Sequence, residues 1–524
     1  MIPRDDLTRT GASDRFAPEK APCAQGSRAN GFSRLDTLFH PRSVAVVGAS
    51  SGIRKWGYLI LCNILAGGYT GAVYPINPKE TNICGLPCFR SLRDVPGTVD
   101  LVLITTPANT APDVLKECTE KGVGGVVLIS SGFSETDDRG KQIERDIVDL
   151  CQEHELPLVG PNTMGIISTH SDLYATGAHA RPRKGSIAFV SQSGNLGVQL
   201  MHWATGQGIG ISLFIGSGNE GFLNSTDFLE YLESDPATRT IIMYLEGIED
   251  GRRFVQVARR VSREKPIIAL NGGRTDSGKM AAASHTGSMA GSTRVFNAAC
   301  RQAGVLLARK PSELLDLSMG FSSLPLTPGN RVGIVSLGGG WGVVTCDACR
   351  EAGLEIPPLP EHIVKKIDRH LPPFWSRANP IDLVGTLDMQ APIVAVEELV
   401  KWDGIDAVIC LGIIGRKKLA QLQMDSTRKM NPEVTGRMLD DVMEAISDYE
   451  AKYAEHLLRL MEAYHKPIVG VSLAPTGEGS QFQLEGCDYS GVFFPTPESA
   501  VNVLAQMARR RQYLNRFEEK PARS

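Results

Sequence analysis

The chain has 524 residues, of which 55 are basic and 58 acidic, for a formal net charge of −3, and 42% are hydrophobic. That balance gives no argument for nucleic acid or an anionic membrane surface as a partner, and at roughly 100–200 residues per domain the length suggests about three packed domains. No apolar run approaches the ~18 residues a membrane helix needs, and 11 cysteines, scattered almost singly, point away from a disulfide framework and toward the cytosol.

Residues 1–34 are polar, lack the apolar block of a secretory signal and read as a disordered tail, with a transit segment as the lesser alternative. From residue 35 onward, near-continuous apolar runs such as "SVAVV", "VDLVLIT" and "GGVVLIS" alternate with helical stretches, the pattern of parallel sheets covered on both faces. Three of these strands run straight into a Gly/Ser turn and a helix: "VAVVGASSG" from Val44, "IAFVSQSGN" from Ile187 and "VGIVSLGGGWG" from Val332. The spacing is domain-sized, so each copy opens an α/β domain. The predicted fold class is therefore α/β, with three consecutive doubly wound parallel-sheet domains at 35–183, 184–322 and 328–512 and a tail at 513–524. "FSSLPLTPGN" (321–330) links the second to the third.

A strand-to-helix turn of this kind accepts anions, because glycine lets a phosphate approach the backbone and the helix N-terminus offers unpaired N–H groups. "GSGNEG" (216–221) matches G-x-G-x-x-G literally, yet no acidic residue follows at a downstream strand end. It reads as a decoy, with "NSTD" capping the helix "FLEYLESD". The first turn lacks the full motif as well, which weakens a nicotinamide cofactor. "KMAAASHTGSMAG" (279–291) sets His285 among small residues in a loop, where on its own it reads as a loop histidine with no role. Cys346 and Cys349 of "CDAC" read as small residues on a helix, with metal or redox duty the minor alternative. The charged stretch 416–460 reads as a solvated amphipathic helical region.

"HPRSVAVVGASSG", "VYPINPKETNICGLPCFRSL", "GPNTMGI", "VSQSGNLG", "LEGIEDGRRF" and "SHTGSMAG" stand in the order and spacing of the NDP-forming acyl-CoA synthetases. The chain resembles their α subunit and, more distantly, the α subunit of succinyl-CoA synthetase. The resemblance covers about residues 35–320 and continues through "SLGGGWGVV" and "RANPIDLVG". It implies a Rossmann-like CoA-binding first domain and two flavodoxin-like domains after it. CoA phosphates would rest on Gly48, Ala49, Ser50 and Ser51, with Lys79 near the nucleotide end and Ile129, Ser130 and Ser131 along the pantetheine arm. His285 would accept and carry a phosphoryl group, Glu246 would orient its ring, and Ser191, Gln192, Ser193 and Gly194 would hold the phosphate. The acyl pocket would lie near Asn162 and Thr163.

No stretch resembles an ATP-grasp module, so ADP or ATP and Mg²⁺ are expected on a separate β subunit, and no metal ligands are predicted here. Two departures stand out: Trp341 where many relatives have proline, and the N-terminal extension. A non-catalytic CoA-binding subunit and, further off, a nicotinamide-dependent oxidoreductase remain the alternatives.

Overall fold

The computed structural model describes residues 35–286, 292–386, 388–431, 436–472 and 481–518, and the predicted tail 1–34 lies outside them. In the first domain β1 (Ser43–Val47), β2 (Ala72–Ile76), β3 (Leu101–Ile104), β4 (Gly125–Leu128) and β5 (Leu158–Val159) form one parallel sheet ordered β2-β1-β3-β4-β5. The three strands β1, β3 and β4 are buried along their whole length, which is why their sequences carry no polar alternation. Helices α1 (Trp56–Ala66), α2 (Ala111–Lys121) and α3 (Asp138–Glu153) cover the sheet.

The second sheet begins earlier than predicted. β6 (Gly165–Ser168) and β7 (Leu173–Thr176), placed by sequence in the first segment, form an antiparallel hairpin on the edge of the second sheet. With β8 (Lys184–Ser191), β9 (Ile211–Gly216), β10 (Thr240–Leu245), β11 (Ile267–Asn271) and β12 (Leu306–Ala308), the order is β12-β11-β10-β8-β9-β6-β7. Its helices are α4 (Gly194–Gly206), α5 (Ser225–Ser234), α6 (Gly251–Glu264), α7 (Asp276–Thr286), α8 (Thr293–Gln302) and α9 (Pro311–Ser323).

The third domain repeats the plan. β13 (Val332–Ser336), β14 (Ile381–Asp382), β15 (Ala407–Leu411), β16 (Ile468–Val471), β17 (Gln481–Gln483) and β18 (Ser490–Phe494) are ordered β14-β13-β15-β16-β18-β17, with β17 antiparallel at the edge. The helices are α10 (Gly339–Ala352), α11 (Glu361–Ile367), α12 (Ala391–Lys401), α13 (Arg416–Met430), α14 (Gly436–Tyr464) and α15 (Pro497–Glu518). All three parallel cores thus share one order, second-first-third-fourth-fifth, and each Gly/Ser turn leaves the first strand at the point where that order reverses.

The predicted tail from residue 513 is instead the end of α15, which runs on to Glu518. Tyr513 is buried, its hydroxyl 3.2 Å from Ser262 Oγ, because the helix packs against the second domain as well as the third. Cys349 is buried on α10, and burial pushes its thiol up to about 12, so it behaves as a small apolar residue. Among the described residues, no helix is long and apolar enough to cross a membrane.

Candidate functional site

The carboxyl ends of the first and second sheets open onto one cavity of about 1320 Å³. On the first side, Gly48 turns with φ +89°, and a Cβ there would stand 2.6 Å from Thr105 Oγ1, so glycine is required. Helix α1 can fold back over this turn because Gly57 has no Cβ, which would sit 2.2 Å from the Gly48 carbonyl oxygen. The turn already serves a negative charge. The Glu80 carboxylate accepts the Ser51 N–H at 3.1 Å and reaches Ser50 Oγ at 3.5 Å, and the Ser51 N–H is the main cause of a Glu80 pKa below the usual range.

Gly48, Ala49, Ser50 and Ser51 do not themselves line the cavity. Thr105 and Thr106, which pack on Gly48, do so, as does Trp56 at the start of α1. Lys79 is exposed and away from the cavity, its backbone N–H on Asn77 Oδ1 at 2.8 Å.

Ile129, Ser130 and Ser131 leave β4 along the cavity wall. Ser130 Oγ donates to the Thr106 carbonyl at 2.5 Å, which ties this loop to the one beside Gly48, while Ser131 is exposed. Glu135 closes the loop by accepting the N–H groups of Gly132 (2.6 Å) and Phe133 (3.2 Å). Asn219 reaches across from the second domain to donate to Glu135 (2.7 Å) and Glu144 (3.0 Å). Burial pushes the Glu135 carboxyl up, but these donors together hold it below its ordinary value.

Asn162 and Thr163 also line the cavity. Asn162 Nδ2 donates to Asn219 Oδ1 at 3.2 Å. The Thr163 hydroxyl is buried and committed to the Gly216 carbonyl, so it joins the β6–β7 hairpin to β9 rather than facing a ligand.

On the second side, parallel pairing sets Ser191 opposite Tyr244. Ser191 is fully buried, does not line the cavity, and spends its hydroxyl on the Ser193 carbonyl at 2.7 Å. Gln192, Ser193 and Gly194 do line it, and α4 starts at Gly194 with no side-chain cap, leaving its first N–H groups for another acceptor. The Gln192 amide spans the two strand ends. Its oxygen accepts the N–H of Glu246 (2.5 Å) and of Gly247 (3.1 Å), and its nitrogen donates to the Gly247 carbonyl (2.9 Å).

Glu246, half-buried, lines the cavity just beyond β10. Tyr244, two residues earlier and hence on the same face of the strand, sets its phenol beside the Glu246 carboxylate. Burial first, and Glu246 second, push that phenol up to about 12. Gly272 completes the fit: a Cβ there would lie 2.7 Å from Tyr244 Oη and 3.4 Å from Glu246 Cγ.

His285 was expected in a loop, but its backbone belongs to α7. The run "KMAAAS" consists largely of good helix formers, and Asp276 supplies an acidic first turn. The His285 side chain and residues 287–291 lie outside the described residues. Gly272 and Gly273 before α7, and Ser292, Val295 and Phe296 after it, line the cavity, so both ends of the segment carrying His285 open beside Glu246.

Sequence reasoning missed Tyr244, Trp56, Asn219 and Glu220. For Tyr244 the signal was present, since residues i and i+2 of a strand share a face. For Asn219 and Glu220 the only clue was "GSGNEG", which the structure does show to be a turn leading to a helix capped by Asn224 and Asp227. Glu220 is half-buried, and desolvation of its carboxyl pushes the pKa upward despite the hydrogen bonds it accepts from the Ser225 N–H and hydroxyl.

A nucleotide-sized cavity between the carboxyl ends of two parallel sheets, with the start of α4 and the Glu246 carboxylate on one side and the loop that packs on the Gly48 turn on the other, defines an α/β protein with room for a large ligand. Family models for a CoA binding domain, a succinyl-CoA ligase like flavodoxin domain and a Ligase-CoA domain match residues 42–169, 184–321 and 332–414. The chain is 38% identical to the α subunit of acetate–CoA ligase [ADP-forming] I from Pyrococcus furiosus, over 83% of this chain and 95% of that one. It is 37% identical to acetate–CoA ligase [ADP-forming] I from Archaeoglobus fulgidus, over 72% of this chain but 54% of that longer protein. Acetyl-coenzyme A synthetase 1 of Ca. Korarchaeum cryptofilum, solved with phosphate and ADP, matches with a TM-score of 0.78 and 31% identity over 93% of this chain and 99% of that one. The chain belongs to the ADP-forming acyl-CoA ligases, enzymes that join acids to thiols, and is of their α-subunit type.

Proposed function

We propose that this chain is the phosphoryl-carrying subunit of an enzyme that interconverts acyl-CoA, ADP and phosphate with carboxylic acid, CoA and ATP. CoA phosphates take the Gly48–Ser51 turn, with Lys79 adding charge from outside and Ile129, Ser130 and Ser131 beside the pantetheine arm. The Glu80 carboxylate on the Ser51 N–H supports this placement, because phosphate oxygens need the same donor. The acyl group lies near Asn162 and Thr163.

A phosphate oxygen attacks the thioester carbonyl, the C–S bond breaks, and CoA leaves as a thiolate with acyl phosphate remaining. A neutral ring nitrogen of His285 then attacks phosphorus, the P–O bond to the acyl group breaks, and the carboxylate departs. Glu246 holds the other ring nitrogen, while the open N–H groups at the start of α4, in the turn formed by Ser191, Gln192, Ser193 and Gly194, take the phosphoryl oxygens. ADP finally removes the phosphoryl group. The observation that carries the reading is Glu246, anchored through its N–H by Gln192 at the strand end beside α4.

ADP or ATP and Mg²⁺ belong on an ATP-grasp β subunit. The longer single-chain relative leaves room for a further module. A cytoplasmic enzyme fits the same picture. With its partner and [γ-³²P]ATP·Mg²⁺, this chain should gain an acid-labile, base-stable label that His285→Asn abolishes. An unlabelled wild-type chain beside an active partner would instead leave a CoA-binding regulator.

A further inference from the structure

A second cavity, of about 630 Å³, lies where α15 crosses the ends of β11 and β12 and the helix α8. Six arginines line it: Arg274, Arg301, Arg309, Arg509, Arg510 and Arg516, and among the described residues no aspartate or glutamate does. They come from two domains. Arg509, Arg510 and Arg516 share a face of α15 with Tyr513, at helical spacing, while the opposite face, with Leu504, Met507 and Ala508, is buried in the core.

The wall is built rather than incidental. Arg510 donates to the Ser262 carbonyl at 2.7 Å, Arg274 donates to the Arg309 carbonyl at 2.6 Å, and a Cβ on Gly304 would stand 2.4 Å from the Tyr513 ring. Burial pushes Arg510 down to about 10, while Glu264 raises it from outside the cavity. On the other wall Glu313 accepts the Arg309 backbone N–H at 2.7 Å. The side chains of Arg301, Arg509 and Arg516 have no ion pair or hydrogen bond among the described residues.

Six arginines lining one space, five of them exposed and Arg510 buried, concentrate positive charge that an entering anion offsets. A single phosphate, at about −2, leaves most of that charge uncompensated, whereas a polyphosphate chain approaches it. The volume falls within the roughly 300–1,000 Å³ range of small-ligand sites, and concavity favours a small ligand over a protein surface. We propose that this cavity is a second anion site, distinct from the first, that binds a polyphosphate group, either inorganic or on a nucleotide. Arg274 lies two residues before α7, and Asn271 lines both cavities, so occupancy bears directly on the root of the helix that carries His285.

Calorimetric titration of the full-length chain with inorganic tripolyphosphate, ATP without Mg²⁺, and adenosine tests this. Saturable binding of tripolyphosphate is expected, weakening at least tenfold in Arg301→Gln/Arg509→Gln and severalfold in Arg516→Gln, with thermal unfolding and CoA binding unchanged. ATP binding more tightly than tripolyphosphate would identify a nucleotide, and equal affinity a bare polyphosphate; both support the site, and adenosine alone should not bind. Absent saturable binding, or tripolyphosphate affinity equal in wild type and the double variant, overturns it. So does loss of partner assembly in the variant with anion binding intact, which would make the arginines a seat for an acidic protein segment.

Discussion

Gln192→Ala isolates what holds Glu246 in place. The substitution deletes three hydrogen bonds, at 2.5, 3.1 and 2.9 Å, that tie the turn before α4 to residues 246 and 247. Net values are roughly 0.5–1.5 kcal/mol each, and the two bonds made by Gly247 are exposed, so the strand end loses about 2 kcal/mol of anchoring. That corresponds to about a 30-fold shift toward displaced positions of Glu246, and a displacement near 1 Å costs on the order of 10²-fold in a positioned reaction. Rapid-quench labelling with the partner and [γ-³²P]ATP should therefore slow about 30- to 100-fold. Little apolar surface is involved, so CoA affinity and the unfolding temperature should hardly move. Labelling at the wild-type rate would refute the idea that this amide bridge positions the carboxylate.

Tyr244→Phe removes the phenol hydroxyl beside Glu246 while keeping the ring, and single-turnover labelling should fall about tenfold with CoA binding intact; an unchanged rate would place the phenol outside the mechanism. Gly57→Ala forces a methyl group to within 2.2 Å of the Gly48 carbonyl, so CoA affinity should drop at least tenfold and stability by about 1–3 kcal/mol, read by titration and urea melts; normal CoA binding would remove the turn from the ligand site. Burial raises the Asp316 carboxyl from 3.8 to about 6, so the folded state holds its proton more tightly. The stability from this group is complete below pH ~3.8 and is lost as pH rises through about 6, some 3 kcal/mol in all. Asp316→Asn should flatten the urea midpoint across that window and raise it at pH 8; parallel wild-type and variant profiles would contradict the shift.

Much of the site was legible because its parts are local. A buried parallel strand has to be continuously apolar, and a turn that meets a helix N-terminus has to be small, so "VAVVGASSG" and "IAFVSQSGN" announced themselves. Glu246 was found through motif order, and Tyr244 could have been found through strand alternation. The "KMAAAS" helix was missed because the small residues that suggest an open loop are also good helix formers, and local composition does not choose between them.

Other features depended on contacts remote in sequence. "GIIS" and "LYAT" satisfy either sheet by pattern, and the free edge of β9 is what draws the hairpin to the second. The final turns of α15 looked like a charged tail until Ser262 and Gly304 supplied a surface for Arg510 and Tyr513.

The sequence alone determined three sheets and the small-residue turn by which each first strand leaves for a helix. Tertiary structure decided that the start of α4 lines the large cavity while the Gly48 turn does not, which hydroxyls are already spent, as at Ser191 and Thr163, and where six arginines converge. The division follows from range: periodicity and turn chemistry act over a few residues, whereas hydrogen-bond commitment and charge convergence join groups tens to hundreds of residues apart, which a linear pattern does not encode.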